Sequence, residues 1–352
     1  MLNRTQSPTS SLELKRKWQQ LRQSNPKLRA RDAARALGVT EAELVASECG
    51  GSVVRLEADW GTLLGELSAL GRVMALTRNE EAVSERKGRY HPVEIFREPD
   101  RPVMGQVLDE GIDLRLFLSH WHSGFAINDG SRRSLQFFDR DGTAIHKIFL
   151  TEESDRAAFA EVVARYRSED QSPVQIVSPP IASPPERSDD EIDVEGLRRA
   201  WSQMRDTHEF FRLTRDFGVT RLQALRLAGS DWAQRVSIGS FPRLLQEAAQ
   251  QRTAIMIFVG NPGVIQIHSG PIENVRIVNH WVNVLDPDFN LHVRGDLIAS
   301  CWIVRKPTAD GIVTSMELYN ARGEQILLAF SKRKPGREES ADWRELLTRV
   351  SR

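Results

Sequence analysis

The sequence has only two cysteines, Cys49 and Cys301, in 352 residues. They fit neither a zinc pattern nor a disulfide framework and read as reduced thiols. A net charge is also missing: 48 Lys and Arg balance 48 Asp and Glu, so no whole-molecule field draws the chain to nucleic acid or an anionic membrane. Binding to either would have to be local. The longest apolar run, around Ala254 to Val259, has the length of a strand, and Met1 to Lys17 is polar without an apolar signal region. A soluble, cytoplasmic protein is expected. There is no glycine-rich phosphate loop, nucleophile elbow or carboxylate dyad, so protein acids and bases offer no catalytic centre of their own.

What is present divides into two halves, as the length suggests. Leu12 to Ser24 reads as a basic amphipathic helix with Leu14, Trp18 and Leu21 on one face. Arg31 to Leu44 reads as helix, glycine-ended turn, helix, with Thr40 the N-cap of the second helix and Glu43 completing a capping box. From about Gly71 the period changes to two. Arg72–Thr77, Asp113–Leu118, Gly124–Ile127, Leu135–Phe138 and Ala144–Phe149 are expected as short strands of an antiparallel meander, with turns at Asn128-Asp-Gly130 and Asp141-Gly142. A helix from Glu152 to Tyr166 closes this half, and Ser168 to Glu191 has the proline, serine and acid content of a linker.

The second half repeats the first. Trp201 answers Trp18, Phe217-Gly-Val-Thr220 answers Leu37-Gly-Val-Thr40, and Ile255 to Asn261 answers Val73 to Asn79. Ser315 to Gly323 answers Ser134 to Gly142, and Trp302 answers Trp121. An offset held near 180 residues over so many landmarks marks a tandem duplication. The fold class expected is α+β, a duplicated unit with a large antiparallel sheet flanked by helices. The boundaries expected are 1–167, a linker at 168–191, and 192–352.

One stretch breaks the symmetry. Leu197, Trp201, Met204, His208 and Phe211 are spaced by three and four, which predicts one apolar helix face carrying an imidazole, with Arg205 and Arg212 on neighbouring turns. Such a histidine is either a hydrogen-bonded core residue or part of a ligand pocket. As a pocket, it suits a flat, apolar, metal-centred and doubly anionic ligand such as haem. The position answering His208 in the first half falls at Asn25-Pro26, which cannot ligate a metal. His120-Trp-His122 would put two imidazoles on one strand face, a second candidate pair.

Asp113-Leu-Arg-Leu-Phe-Leu118, Ser134-Leu-Gln-Phe-Phe-Asp139, Thr207-His-Glu-Phe-Phe211, Ile255-Met-Ile-Phe-Val-Gly-Asn261 and Trp302-Ile-Val-Arg-Lys-Pro-Thr308 together resemble the haem-utilisation proteins of the HemS/ChuS/HmuS (hemin-degrading factor) family. The resemblance spans nearly the whole chain. It implies that two similar halves hold haem in a cleft between them, with His208 as the proximal iron ligand. Arg115 is implied on the distal side, where a guanidinium that holds its proton is expected to hydrogen-bond a distal water or hydroxide rather than to ligate iron. The strand alternation agrees, since Leu114, Leu116 and Leu118 share one face and Asp113, Arg115 and Phe117 the other. Arg221, Lys306 and Arg333 are implied as cations for the haem propionates. Phe330 stands where relatives carry a tyrosine, so a hydroxyl contact to haem is expected to be absent.

Three functions follow as expectations. The first is a haem-binding protein that accepts haem from an inner-membrane importer and delivers it to a haem oxygenase or other acceptor. The second is a haem-degrading enzyme that opens the porphyrin with oxygen and a reductant, with Arg115 as its distal residue. The third is a haem-responsive DNA-binding regulator, motivated by the two helix pairs; of these, Thr220 to Arg226 suits phosphate better than the acidic Thr40 to Glu43.

Overall fold

The computed structural model describes residues 10–98, 102–130, 132–181, 185–332 and 336–351. The chain forms two compact units. The first contains Met1–Thr77, Lys87–Ile181 and Asn261–Val264; the second contains Arg78–Arg86, Ala182–Gly260 and Ile265–Arg352. A short piece of each half of the sequence therefore lies in the other half's unit.

In the first unit, helices Ser11–Ser24, Ala30–Leu37 and Glu41–Ala46 precede strand Val53–Leu56 and helix Trp60–Glu66. The capping box forms as expected: the Thr40 hydroxyl accepts from Glu43 N, and Glu43 Oε2 accepts from Thr40 N at 2.8 Å. Five antiparallel strands lie in the order Val53–Leu56, Ser123–Asn128, Arg133–Phe138, Ala144–Ser154, Gly71–Arg78. A separate ladder joins Val93–Phe96, Met104–Leu108 and Asp113–Phe117. The last strand of the meander runs to Ser154, and the closing helix begins only at Arg156 because Asp155 caps it, accepting from Ala157 N and Ala158 N. Trp60, Leu63, Leu64, Trp121 and Phe137 fill the core.

The second unit repeats the plan with helices Val194–Ser202, Glu209–Phe217 and Arg221–Leu227, strand Ala233–Val236 and helix Ser240–Gln251. Its five-strand ladder runs Ala233–Val236, Ser300–Thr308, Gly311–Tyr319, Gln325–Ser331, Ile255–Asn261. The duplication reaches the turns. Gly38 (φ 69°) and Gly218 (φ 63°) end matching helices in the left-handed conformation, where a side chain would be strained. It also reaches the asparagines that answer each other. Asn79 donates to Gly260 O and Ile326 O and accepts from Ala82 N, while Asn261 donates to Ile145 O and accepts from Val264 N. Each thus anchors the short segment that its unit takes from the other half of the sequence. The architecture is α+β with a duplicated antiparallel unit.

The linker is tied down at both ends. Arg55 donates to Gln175 Oε1, Ser172 O and Val174 O in the first unit. In the second, Gln223 donates to Arg187 O and to Asp189, and Arg226 pairs with Glu186.

Candidate ligand-binding site

The expected single helix through His208 is two helices. Val194–Ser202 stops, and Glu209–Phe217 starts with His208 at its N-cap. The cause is local. Asp206 Oδ1 accepts from His208 N at 2.8 Å, and Glu209 Oε2 accepts from Arg205 N at 2.9 Å, so side chains supply the bonds that a continuing helix would have made. Ala309 N donates to Arg205 O at 2.8 Å and Trp201 Nε1 donates to Arg305 O at 2.9 Å, which pins this turn to the strand Ser300–Thr308.

The break changes which residues face inward. Leu197, Trp201 and Met204 are buried as expected, but the next core residue is Phe210, packed edge-on to Trp201 at 4.8 Å between ring centroids. Phe211 is 77% exposed and the His208 side chain 94% exposed. His208 is therefore not an imidazole set in a buried apolar stripe. It projects from a turn beside an exposed phenyl ring.

Its ring is nonetheless held. Nδ1 lies 2.6 Å from Asp206 Oδ1, while Nε2 has no hydrogen-bond partner among the described residues. A neutral imidazole that donates Nδ1–H to a carboxylate presents the Nε2 lone pair outward, the arrangement common for metal-ligating histidines. Of the flanking cations, Arg212 pairs with Asp216 at 3.2 Å.

Arg221 and Lys306 are brought together in the same unit, by a carboxylate. Glu317, fully buried, accepts from Arg221 Nη2, Lys306 Nζ and Ser315 Oγ at 2.8, 2.8 and 2.9 Å on Oε1, and from Arg221 Nε and Tyr319 OH at 2.9 and 2.6 Å on Oε2. Lys306 is 3% exposed, whereas the Arg221 side chain keeps 30% of its surface. Burial raises the Glu317 carboxyl, but the two cations outweigh it and hold the group well below the usual range. Burial lowers Lys306 to about 8, with Arg221 adding to the effect and Glu317 opposing it. Both cations also sit over the Phe210 ring, Arg221 at 4.8 Å and Lys306 at 4.6 Å from its centroid. Two cations against one carboxylate leave one positive charge.

Arg115 belongs to the first unit. In its strand Leu114 and Leu116 are buried and Asp113, Arg115 and Phe117 half-buried, as alternation requires. Its guanidinium pairs with Asp113 and donates to Leu114 O at 3.1 Å. Burial raises the Asp113 carboxyl, and Arg115 opposes the rise. Phe330 packs edge-on to Phe258 at 5.1 Å. Arg333 lies outside the described residues.

The remaining histidines offer no ligand set. Leu118–His120 is a 3₁₀ turn, so His120 and His122 do not share a strand face. His146 is buried between Thr77 and Tyr90, and His268 stacks on Phe289 at 3.9 Å. Among the described residues no group of three or more His, Cys, Asp or Glu could hold a metal ion. Nor is any of their helices long and apolar enough to cross a membrane.

A model of the haemin-degrading HemS.ChuX domain matches residues 38–166 and again 218–350. The chain belongs to the HemS family. This HemS-family chain is 39% identical to the hemin transport protein HemS of Yersinia enterocolitica over 94% of its own length and 95% of the relative's. It superposes on holo-PhuS, a heme-binding protein from Pseudomonas aeruginosa, with 48% identity, a TM-score of 0.93, and 96% and 98% of the two chains covered. Against ChuS, an Escherichia coli O157:H7 heme-degrading enzyme, identity is 34%, the TM-score 0.87, and coverage 96% and 99%.

Three participants at the HemS-family chain's candidate site went unread in the sequence: Asp206, Glu317 and Phe210. Asp206 stands two residues before His208, a spacing typical of side-chain turns. Glu317 lies on the same strand face as Ser315 and Tyr319 by simple alternation.

Proposed function

We propose that this chain binds haem through His208 Nε2 and passes it on, accepting it from an importer and delivering it to a haem oxygenase or another acceptor. The observation that carries the reading is His208 itself: an almost fully exposed imidazole whose Nδ1 is held by a carboxylate, beside an exposed Phe211. An exposed ligand can be reached by a donor and by an acceptor, which suits transfer. The donor set fits the ligand. An imidazole nitrogen serves iron, Phe211 offers apolar contact to a porphyrin, and the surplus positive charge of the Arg221–Lys306–Glu317 cluster serves a propionate. Arg115 is assigned the distal role by its motif.

The chain's relatives include both a hemin transport protein and a heme-degrading enzyme. Degradation is the second reading; bound iron would supply the oxygen chemistry, and Arg115 would contribute hydrogen bonds. The DNA-binding reading loses its footing. In helix Glu41–Ala46 every residue but Glu43 is buried, with Glu41 paired to Lys147, while in Arg221–Leu227 the two arginines are engaged by Glu317, Glu186 and Asp189.

A hemin titration of wild type and His208→Ala, followed by absorbance, tests the proposal. The expected result is a one-to-one Soret band that shifts or weakens sharply in the variant. Equal spectra and affinity would overturn it.

A further inference from the structure

We infer that Asp206 is a positioning residue for the iron ligand, a role that rests on the ligation by His208 proposed above. One carboxylate oxygen, Oδ1, makes two bonds: it accepts from the His208 backbone N–H at 2.8 Å and from its ring Nδ1 at 2.6 Å. The first fixes the backbone of the turn. The second fixes the ring's rotation about its own side chain and selects the tautomer with the proton on Nδ1.

This matters more here than at a buried site. The His208 side chain is 94% exposed, so no packing locks its rotamer, and an unrestrained imidazole would sample several orientations and both tautomers. The hydrogen bond to Asp206 supplies the restraint that packing supplies elsewhere. It does so without enclosing Nε2, which stays open to an incoming ligand.

The bond is also electronic. A carboxylate accepting Nδ1–H draws the proton toward itself and makes Nε2 a stronger donor, which favours the ferric over the ferrous state of a bound iron. Asp206 is held in place in turn. Glu209 N donates to Asp206 O at 3.1 Å, and the preceding Arg205 is tied to Ala309 and Glu209. The turn is thus a hydrogen-bonded platform for one exposed ring.

Asp206→Asn separates geometry from charge, because an asparagine Oδ1 can still accept from both His208 N–H groups and keep the turn, while the negative charge that strengthens the bond to Nδ1 is gone. Full-length wild type, Asp206→Asn, Asp206→Ala and His208→Ala would be compared by hemin titration, by the iron–histidine stretch of the dithionite-reduced complex in resonance Raman, and by the midpoint potential, with circular dichroism as the fold control. Asp206→Asn is expected to weaken ferric hemin binding by about 10- to 100-fold, to lower the iron–histidine stretching frequency and to raise the potential. Each tenfold loss of ferric over ferrous preference appears as about 59 mV. A merely structural role would leave the stretch and potential of the Asn variant at wild-type values. If they stay there while His208→Ala loses its Soret signature, the role of Asp206 is overturned and ligation by His208 stands. If His208→Ala is itself unchanged, both fall.

Discussion

Arg221 holds Glu317 with two bonds, Nε to Oε2 at 2.9 Å and Nη2 to Oε1 at 2.8 Å, while Lys306 holds the same Oε1 at 2.8 Å. Glu317 is fully buried and Lys306 nearly so, which makes the three a unit rather than a surface ion pair. Removing the carboxylate leaves Arg221 and Lys306 over Phe210 without their shared counter-ion. Glu317→Gln is expected to lower stability by about 3–5 kcal/mol, measured by urea denaturation. Replacing Lys306 by Met in the same chain should recover part of that loss, since a buried amine without its carboxylate partner is then gone.

With the cluster serving a haem propionate as proposed, affinity is expected to depend on pH. In the folded protein Lys306 gives up its proton near pH 8, against an ordinary value of 10.5. Above that pH the cluster falls from one net positive charge to none, so hemin affinity should decline as pH rises through about 8. Lys306→Met should bind more weakly at pH 7 and lose this inflection. Stability should move the opposite way. Between about 8 and 10.5 the unfolded chain binds the proton that the folded one has lost, so this residue's contribution to stability rises with pH. Fluorescence-quenching titrations and urea midpoints at matched pH distinguish the two trends.

Local signals were legible in the sequence where one short-range rule acted alone. Thr40 and Glu43 form their capping box, Gly38 and Gly218 end their helices, and alternation in Asp113–Phe117 turns Arg115 away from the buried leucines. The duplication showed because its landmarks recur in register. The turn at His208 was misread because two rules compete there. Hydrophobic spacing from Leu197 through Phe211 continues a helix, and nothing in that spacing weighs the bonds that Asp206 and Glu209 offer the backbone. Glu317 was hidden for another reason. Alternation puts it on a face with Ser315 and Tyr319, but its partner Arg221 is 96 residues away in sequence, a separation that no local pattern spans.

Two core histidines predict acid sensitivity. Burial pushes His146, bonded to Thr77 and Tyr90, down to about 3, and His268 likewise, with Arg86 adding to the effect there. Both stay neutral in the folded protein while the unfolded chain takes up protons below about 6.5. The unfolded state therefore binds more protons from about 6.5 down to about 3, and stability present above 6.5 is lost as pH falls through this window. From pH 7 to pH 5 each should cost on the order of 2 kcal/mol. Urea midpoints at the two pH values should drop accordingly, and the drop should shrink in His146→Gln.

Arg115 separates delivery from degradation. Its ion pair with Asp113 is part-exposed, 36% and 21% on the two side chains, so Arg115→Ala should change stability by less than about 1 kcal/mol. Any change in function can then be read as a change at the ligand rather than in the fold. If the chain delivers haem, Arg115→Ala retains a one-to-one Soret complex, and whatever porphyrin loss occurs with a reductant and oxygen is abolished by catalase in wild type and variant alike, since peroxide oxidises bound haem without a built site. An evolved degradation site behaves differently: turnover persists with catalase in wild type and disappears in Arg115→Ala while the complex still forms. That pattern would sink the delivery reading and give Arg115 a catalytic role.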